Sequence, residues 1–335
     1  MDNKENIEKI YRLALANFVK ERANGELGHR DIREMLMGNG ISIKEMVAWH
    51  KGYLTDEYPD MDRGLLNSLD FLMEMLKGFE VDYFETQMLR QWYAELQAEI
   101  EIAASVQNVL LDMKVPTISG FEIGAISIPA HHVNGDYYHF YKEKDGYFRV
   151  MIADVIGKGI PAALCMTLIK YGVENIEEHY VSPHTVMERL NDFIEKHVDC
   201  SMFISMLYGS YNPKTHTFSF VSAGHEPGLF YSHQQGCFSE MYAKGLLLGV
   251  DQNTVYKEYT KRVEVGDWIV LLSDGVTECK TENGFVERDY VVNLIQSNLH
   301  LHPQQMVEEV YRHLEELQHF HLHDDFTLIA LKRVK

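Results

Sequence analysis

From about Leu65 to Met113, apolar residues recur at helical spacing without interruption, and Pro116 ends the pattern. So long a run is not an ordinary globular helix. It divides the chain into a part before it with no strand pattern and a part after it rich in strands. Ahead of it, Ile7, Ile10, Ala14, Phe18 and Val19 fall at helical spacing, and "SIKE" (Ser42 to Glu45) fits a capping box opening a helix with Met46, Val47 and Trp49. Residues 1–84 are therefore expected to form a helical bundle, 85–120 a linker helix, and 121–335 a second domain. Within the linker, Leu89, Tyr93, Leu96, Ile100, Ala103, Gln107 and Leu110 lie alternately four and three apart, a heptad-like seam in which Ala103 and Gln107 are poor knobs. Two readings stay open: a helix lying on its own domain, or a pair of helices in a homodimer.

After Pro116, "FEIGAISI", "YFRVMIAD", "MFISMLYGSY", "TFSFVSAG", "CFSEMY" and "DWIVLLSD" are short β-rich runs bounded by turn residues. "SYNPKTHTF" reads as a hairpin, and helices are expected over Pro161 to Glu178, Pro183 to Val198 and Pro303 to Leu317. Hairpins mixed with helices point to an antiparallel α+β domain rather than a doubly wound sheet.

Charge narrows the partners. With 50 acidic and 31 basic residues the net charge is −19, which repels nucleic acid and anionic membranes, and no basic patch offsets it. The polar, acidic start is unlike a targeting peptide, and no apolar run reaches bilayer length. Cys165, Cys200, Cys237 and Cys279 are scattered, as free thiols in a reducing cytoplasm would be, and none begins a C-x₅-R phosphate cradle.

"DVIGKGIPAA" is ambiguous. Gly157, Gly159 and Ala162 satisfy G-x-G-x-x-A, while Asp154 sits at a strand end facing the same turn. A dinucleotide site needs a second strand ending in an acidic residue about twenty residues on. Here Glu174, Glu177 and Glu178 fall in a helix, and no strand follows before Met202. The turn is better suited to a metal. Asp154 also has company at strand ends: Asp136 in "NGDYY", Asp274 in "LLSDGVTE", and Asp324 and Asp325 in "HDDFTLIAL". Gathered carboxylates are how proteins hold hard divalent cations, whereas a single Asp there is an ordinary turn residue.

The ordered set "GDYY", "DVIGKGIPAALCM", "SAGHEPGLFY", "KGLLLG", "VGDWIVLLSDGVTE" and "DDFTLIAL" resembles the SpoIIE/RsbU branch of the PP2C-type (PPM) metal-dependent serine/threonine phosphatases. "SLDFLMEMLKGF" and "EIEIAASVQ" resemble the regulatory end of the stress-pathway members from Bacillus-type bacteria. The resemblance implies a β-sandwich flanked by helices. It assigns metal-binding roles to Asp136, Asp154, Asp274 and Asp324 and a carbonyl ligand to Val155, with Asp325 as a further candidate at a place where many members have Asn. It also implies Mn²⁺ or Mg²⁺, as two ions that activate water without a covalent phosphoenzyme. The implied substrate is a phosphorylated anti-sigma-factor antagonist, and the implied activator is a switch kinase bound to the N-terminal domain.

The chain departs from the branch at Asn134, His139, Ile156 and Lys158, which puts a further metal site in doubt, and no arginine suggests itself as a phosphate grip. His319, His321 and His323 alternate as zinc ligands on a strand would, or as a solvated approach to the last strand. His225 is a turn-stabilising residue or a general acid. Two other functions compete with the phosphatase: an adaptor with a vestigial cleft, and a dinucleotide-binding enzyme.

Overall fold

A computed structural model describes residues 2–20, 29–111, 113–143, 146–157, 159–177, 181–198, 202–281 and 284–335. Cys200 and Lys158 lie outside them. The chain divides into two compact units, Met1–Leu96 and Gln97–Lys335.

The first unit is helical: α1 (Asp2–Lys20), α2 (His29–Gly38), α3 (Ile43–Glu57) and the start of α4 (Arg63–Leu111). The expected capping box opens α3. Ser42 Oγ accepts from Glu45 N at 3.2 Å, and Glu45 Oε2 accepts from Ser42 N at 3.0 Å, satisfying N–H groups that a helix start leaves open. Tyr11 and Arg12 on α1 reach α3, through His50 at 3.0 Å and Asp56 at 2.8 Å. Among the described residues of this unit, only Ile7, Leu36 and Tyr53 are buried hydrophobics, whereas Ile10, Leu13 and Phe18 of α1 are exposed.

The second unit begins with the end of α4 and continues as a sandwich. Its first half holds β1 (Phe121–Ile128), β2 (Asp136–Lys142), β3 (Phe148–Ile156), α5 (Ile160–Glu177) and α6 (Pro183–His197). Then come β4 (Phe203–Asn212), β5 (Thr217–Ala223), β6 (Gly228–Ser232), β7 (Cys237–Met241), β8 (Tyr259–Arg262) and β9 (Trp268–Leu272). The chain closes with α7 (Asp274–Thr277), a ribbon of β10 (Lys280–Thr281) and β11 (Gly284–Phe285), α8 (Arg288–Ser297), α9 (Pro303–Leu317) and β12 (Phe326–Arg333). The large sheets run β1-β12-β9-β6-β7 and β2-β3-β4-β5-β8, five strands each. All pairings between named strands are antiparallel. The α+β sandwich flanked by helices is borne out.

Period-two alternation builds the layers. In β3, Phe148, Val150 and Ile152 enter the core between the sheets, while Met151, Ala153 and Val155 join α5 and α6 in a second core. In β9, Ile269 and Leu271 face the inter-sheet core, and Trp268, Val270 and Leu272 pack with α8 and α9. Because both faces of these strands are covered, they read as nearly continuous apolar runs. At Gly124 in β1 a Cβ would lie 2.3 Å from the Pro303 carbonyl carbon, so the first turn of α9 rests on bare backbone.

Candidate metal centre

Strand pairing brings the acidic residues to one end of the sandwich. Asp136 opens β2 and lies directly across from Asp154 of β3. In the other sheet β9 and β12 are neighbours with Leu272 opposite Leu328, so the exit of β9 at Asp274 lies beside the entrance of β12 at Asp324 and Asp325. Ser273 ties the two together. Its N–H donates to Thr327 O at 3.0 Å, its Oγ accepts from Thr327 N at 3.0 Å, and its hydroxyl donates to Asp325 O at 3.2 Å. Between the sheet ends is a cleft of about 490 Å³, lined by Gly135, Asp154, Val155, Asp274, Asp324 and Asp325 together with His131, His132, Ile156 and Gly157.

Asp136, next to the lining Gly135 and across from the lining Asp154, is buried beside the cleft. It is 1% exposed, and its Oδ2 finds no hydrogen-bond partner among the described residues. Burial first, and then the charge of Asp154, push its carboxyl well above the usual range, while the Ser273 and Thr327 hydroxyls partly offset this. The Asp274 carboxyl is also raised, by burial and then by Asp324 and Glu278. An orphaned buried carboxylate oxygen beside mutually repelling carboxylates is a set of hard oxygen donors that a divalent cation would satisfy. The residues therefore fit the cation. Yet among the described residues no three acidic, histidine or cysteine side chains already stand close enough to cage an ion.

Asp325 has a different employment. Its Oδ1 accepts from Ala130 N at 2.7 Å and its Oδ2 from Gly135 N at 2.5 Å, strapping the loop that precedes Asp136. A Cβ on Gly135 would stand 3.0 Å from that Oδ2, so a side chain there would press the Asp325 carboxylate by a few tenths of an ångström. Asn134 and Gln107 escaped the sequence reading as members of the site. Asn134 Oδ1 accepts from Asp136 N at 2.9 Å, its amide donates to Ser127 Oγ at 2.9 Å, and its main chain is bonded by Gln107. Asn134 was legible only as a departure from Gly or Ser, and Gln107 only as a poor knob.

The remaining candidates fall elsewhere. His139 lies on the opposite face of β2 from Asp136 and is not among the cleft-lining residues. His225 is buried, its Nδ1 is 2.7 Å from Ser205 Oγ, and burial pushes its pKa down to about 4. That is a turn-holding imidazole, neutral at physiological pH. His319 has φ +54° and belongs to a turn after α9, and His321 and His323 are exposed ahead of β12, so their alternation lines no strand face. No described arginine is among the residues lining the cleft. Arg288 is engaged with Glu226 and donates to Pro227 O at 2.7 Å. The dinucleotide reading fails on topology, because β3 pairs antiparallel with β4, the next strand in the chain, where a nucleotide-binding unit requires a parallel crossover.

Two antiparallel sheets between helix layers, with carboxylates at one sheet end, define the class of PP2C-type phosphatases. The SiaA PP2C domain of Pseudomonas aeruginosa shares this fold with a TM-score of 0.63, covering 72% of this chain and 98% of that one at 16% identity. The PP2C and regulatory-fragment structure of SpoIIE from Bacillus subtilis does so at 0.57, covering 65% and 61% at 15% identity. The family described as Stage II sporulation protein E (SpoIIE) matches residues 144–334, and the N-terminal domain of phosphoserine phosphatase RsbU matches residues 9–82. The phosphoserine phosphatase RsbU of Bacillus subtilis (strain 168) is 45% identical over 334 residues, 99% of each chain. The chain belongs to this SpoIIE/RsbU family of PP2C-type serine phosphatases.

One prediction concerns the turn after Asp154. Gly157 has φ +150°, a backbone conformation that costs an L side chain about 1–3 kcal/mol of strain. Gly157→Ala should therefore weaken metal-dependent turnover with no nucleotide affinity to lose. A fluorescence titration with NADH checks it, and saturable micromolar binding to the parent protein would reinstate the dinucleotide reading.

Proposed function

We propose that this protein is a Mn²⁺- or Mg²⁺-dependent phosphatase acting on the phosphoserine of an anti-sigma-factor antagonist, switched on by a kinase-like partner bound to residues 1–84. The carrying observation is the unpartnered Oδ2 of buried Asp136, whose strand partner Asp154 lines a cleft together with Asp274 and Asp324. These four carboxylates and the Val155 carbonyl would hold two ions, with Asp325 retaining the loop in place. Bound cations would supply Lewis-acid charge, activating water and neutralising phosphoryl oxygens. The chain itself brings little positive charge to a phosphoserine: its net charge is −19 and no described arginine lines the cleft. Substrate and activator are read from the RsbU likeness, which spans 99% of the chain and includes the N-terminal match.

A homodimer belongs to the same proposal. It is supported by the exposed Ile10, Leu13 and Phe18 of α1 and by Met88, Leu89, Trp92, Tyr93 and Leu96 of α4, which a second copy would cover. We place the protein in the cytoplasm; among the described residues no helix is long and apolar enough to cross a membrane.

The test incubates the phosphorylated antagonist with the full-length protein and Mn²⁺, with and without EDTA and the partner. Phosphate release that EDTA abolishes and the partner accelerates is expected. Metal-saturated protein that releases none even with the partner present would favour the adaptor reading.

A further inference from the structure

We propose that Gln107 is a positioning residue for the metal centre, fixing from the linker helix the main chain that presents Asp136. This rests on the metal reading above and deepens it. Gln107 is only 3% exposed although it lies on α4 among the exposed Ile102, Val106 and Val109. Its Nε2 donates to Asn134 O at 2.7 Å, and its Oε1 accepts from Asn134 N at 3.2 Å. One side chain thereby orients both peptide planes of Asn134, two residues before Asp136. Asn134 passes that constraint on, because its Oδ1 accepts from Asp136 N at 2.9 Å. From the other side Asp325 Oδ2 accepts from Gly135 N at 2.5 Å. The segment 134–136 is thus held by a side chain at β12 and by one on α4.

The α4 end is firm enough to serve as an anchor. Lys170 Nζ donates to Leu110 O at 2.5 Å, the Tyr137 hydroxyl donates to Leu111 O at 3.4 Å, and Leu111 is fully buried. Without the Gln107 amide, the N–H and C=O of Asn134, a residue 4% exposed, would lose these partners. The loop would have to shift toward other donors and acceptors, carrying Asp136 away from Asp154. The polar residue that spoils the heptad seam thus has a local use. A dimer seam wants an apolar knob at this position, and the loop wants an amide with one donor and one acceptor.

The experiment compares full-length parent, Gln107→Leu, Gln107→Glu and, as a control away from the loop, Val109→Ser. Mn²⁺ binding is measured by calorimetry, melting temperature in EDTA, and p-nitrophenyl phosphate turnover against Mn²⁺ concentration. Outer-shell contacts of this kind set metal affinity by about 10- to 100-fold, and that is the expected weakening in Gln107→Leu. Gln107→Glu keeps the acceptor for Asn134 N but loses the donor to Asn134 O, so an intermediate weakening is expected. Turnover should recover at saturating Mn²⁺, because Gln107 touches neither ion nor substrate, and Val109→Ser should match the parent. A lower melting temperature with unchanged Mn²⁺ affinity would mark a merely structural role and overturn the proposal. Should Gln107→Leu not fold, parental Mn²⁺ affinity in Gln107→Glu would overturn it equally. Failure of the parent itself to bind Mn²⁺ is a separate result and would remove the metal reading.

Discussion

Asp154→Asn and Asp274→Asn should each lower Mn²⁺-dependent phosphoprotein turnover by about 10³-fold or more, a loss of roughly 4 kcal/mol of transition-state stabilisation. The metal-free proteins should melt at the parent temperature or above it. Asp154 faces the buried Asp136 across the β2–β3 ladder, and its charge helps drive the Asp136 carboxyl upward. Removing that charge relieves a repulsion that exists only while no cation is present. The Asp274 carboxyl is raised by burial, Asp324 and Glu278. A carboxyl raised in the folded state binds its proton more tightly there than in the unfolded chain. Its contribution to metal-free stability is therefore full below the ordinary carboxylate pKa and is lost as pH rises through the raised value. Above that value the carboxylate is a charge the metal-free fold holds at a cost, so an amide at this position should cost that fold nothing. Calorimetric melting in EDTA and steady-state assays over a Mn²⁺ series test both halves. Near-parental Mn²⁺-dependent activity in either folded variant would end the ligand assignment.

If a partner activates through residues 1–84 as proposed, its addition should raise turnover by about tenfold or more at subsaturating Mn²⁺ and much less at saturation. A partner can shift a population only by as much as it prefers one state, and tenfold requires about 1.4 kcal/mol of preference for the metal-competent form. If α4 carries the coupling, Leu96→Asp should abolish activation while leaving unstimulated turnover unchanged. Ile100 is the less suitable probe, because it lines the cleft itself and a carboxylate there would act directly on the site. Full activity without the partner, or undiminished activation of Leu96→Asp, would show that coupling does not run through α4.

The strand ends at Asp154, Asp274 and Asp324 were legible because turn chemistry and period-two alternation are local, whereas β2, which Asp136 opens, was not among the expected strands. The helices opened by prolines were equally plain: α5 contains Pro161 in its first turn, and α6 and α9 start at Pro183 and Pro303. The register that sets Asp136 opposite Asp154 was not legible, since it depends on pairing between strands. Neither was the employment of Asp325, whose partners at Ala130 and Gly135 are 195 and 190 residues away in sequence. The short β8, Tyr259–Arg262, escaped notice because an edge strand with alternately exposed residues carries little apolar signal. The α8 helix, Arg288–Ser297, passed unread between stronger patterns, with only Val291 and Ile295 buried. The motif set located the carboxylates by resemblance; what holds them in place had to come from contacts.

The position of β12 has a consequence for synthesis on the ribosome. It pairs with β1 on one side and β9 on the other, and Ser127 of the early strand meets Thr327 at 2.9 Å across 200 residues of sequence. While residues 324–333 are still inside the exit tunnel, the nascent chain lacks the strand that joins β1 to β9 and two of the acidic residues around the cleft. Its β1 and β9 would present unpaired edges, the condition in which incomplete chains associate wrongly. Until β12 arrives, those edges are the part of this half of the molecule that a chaperone would have to cover.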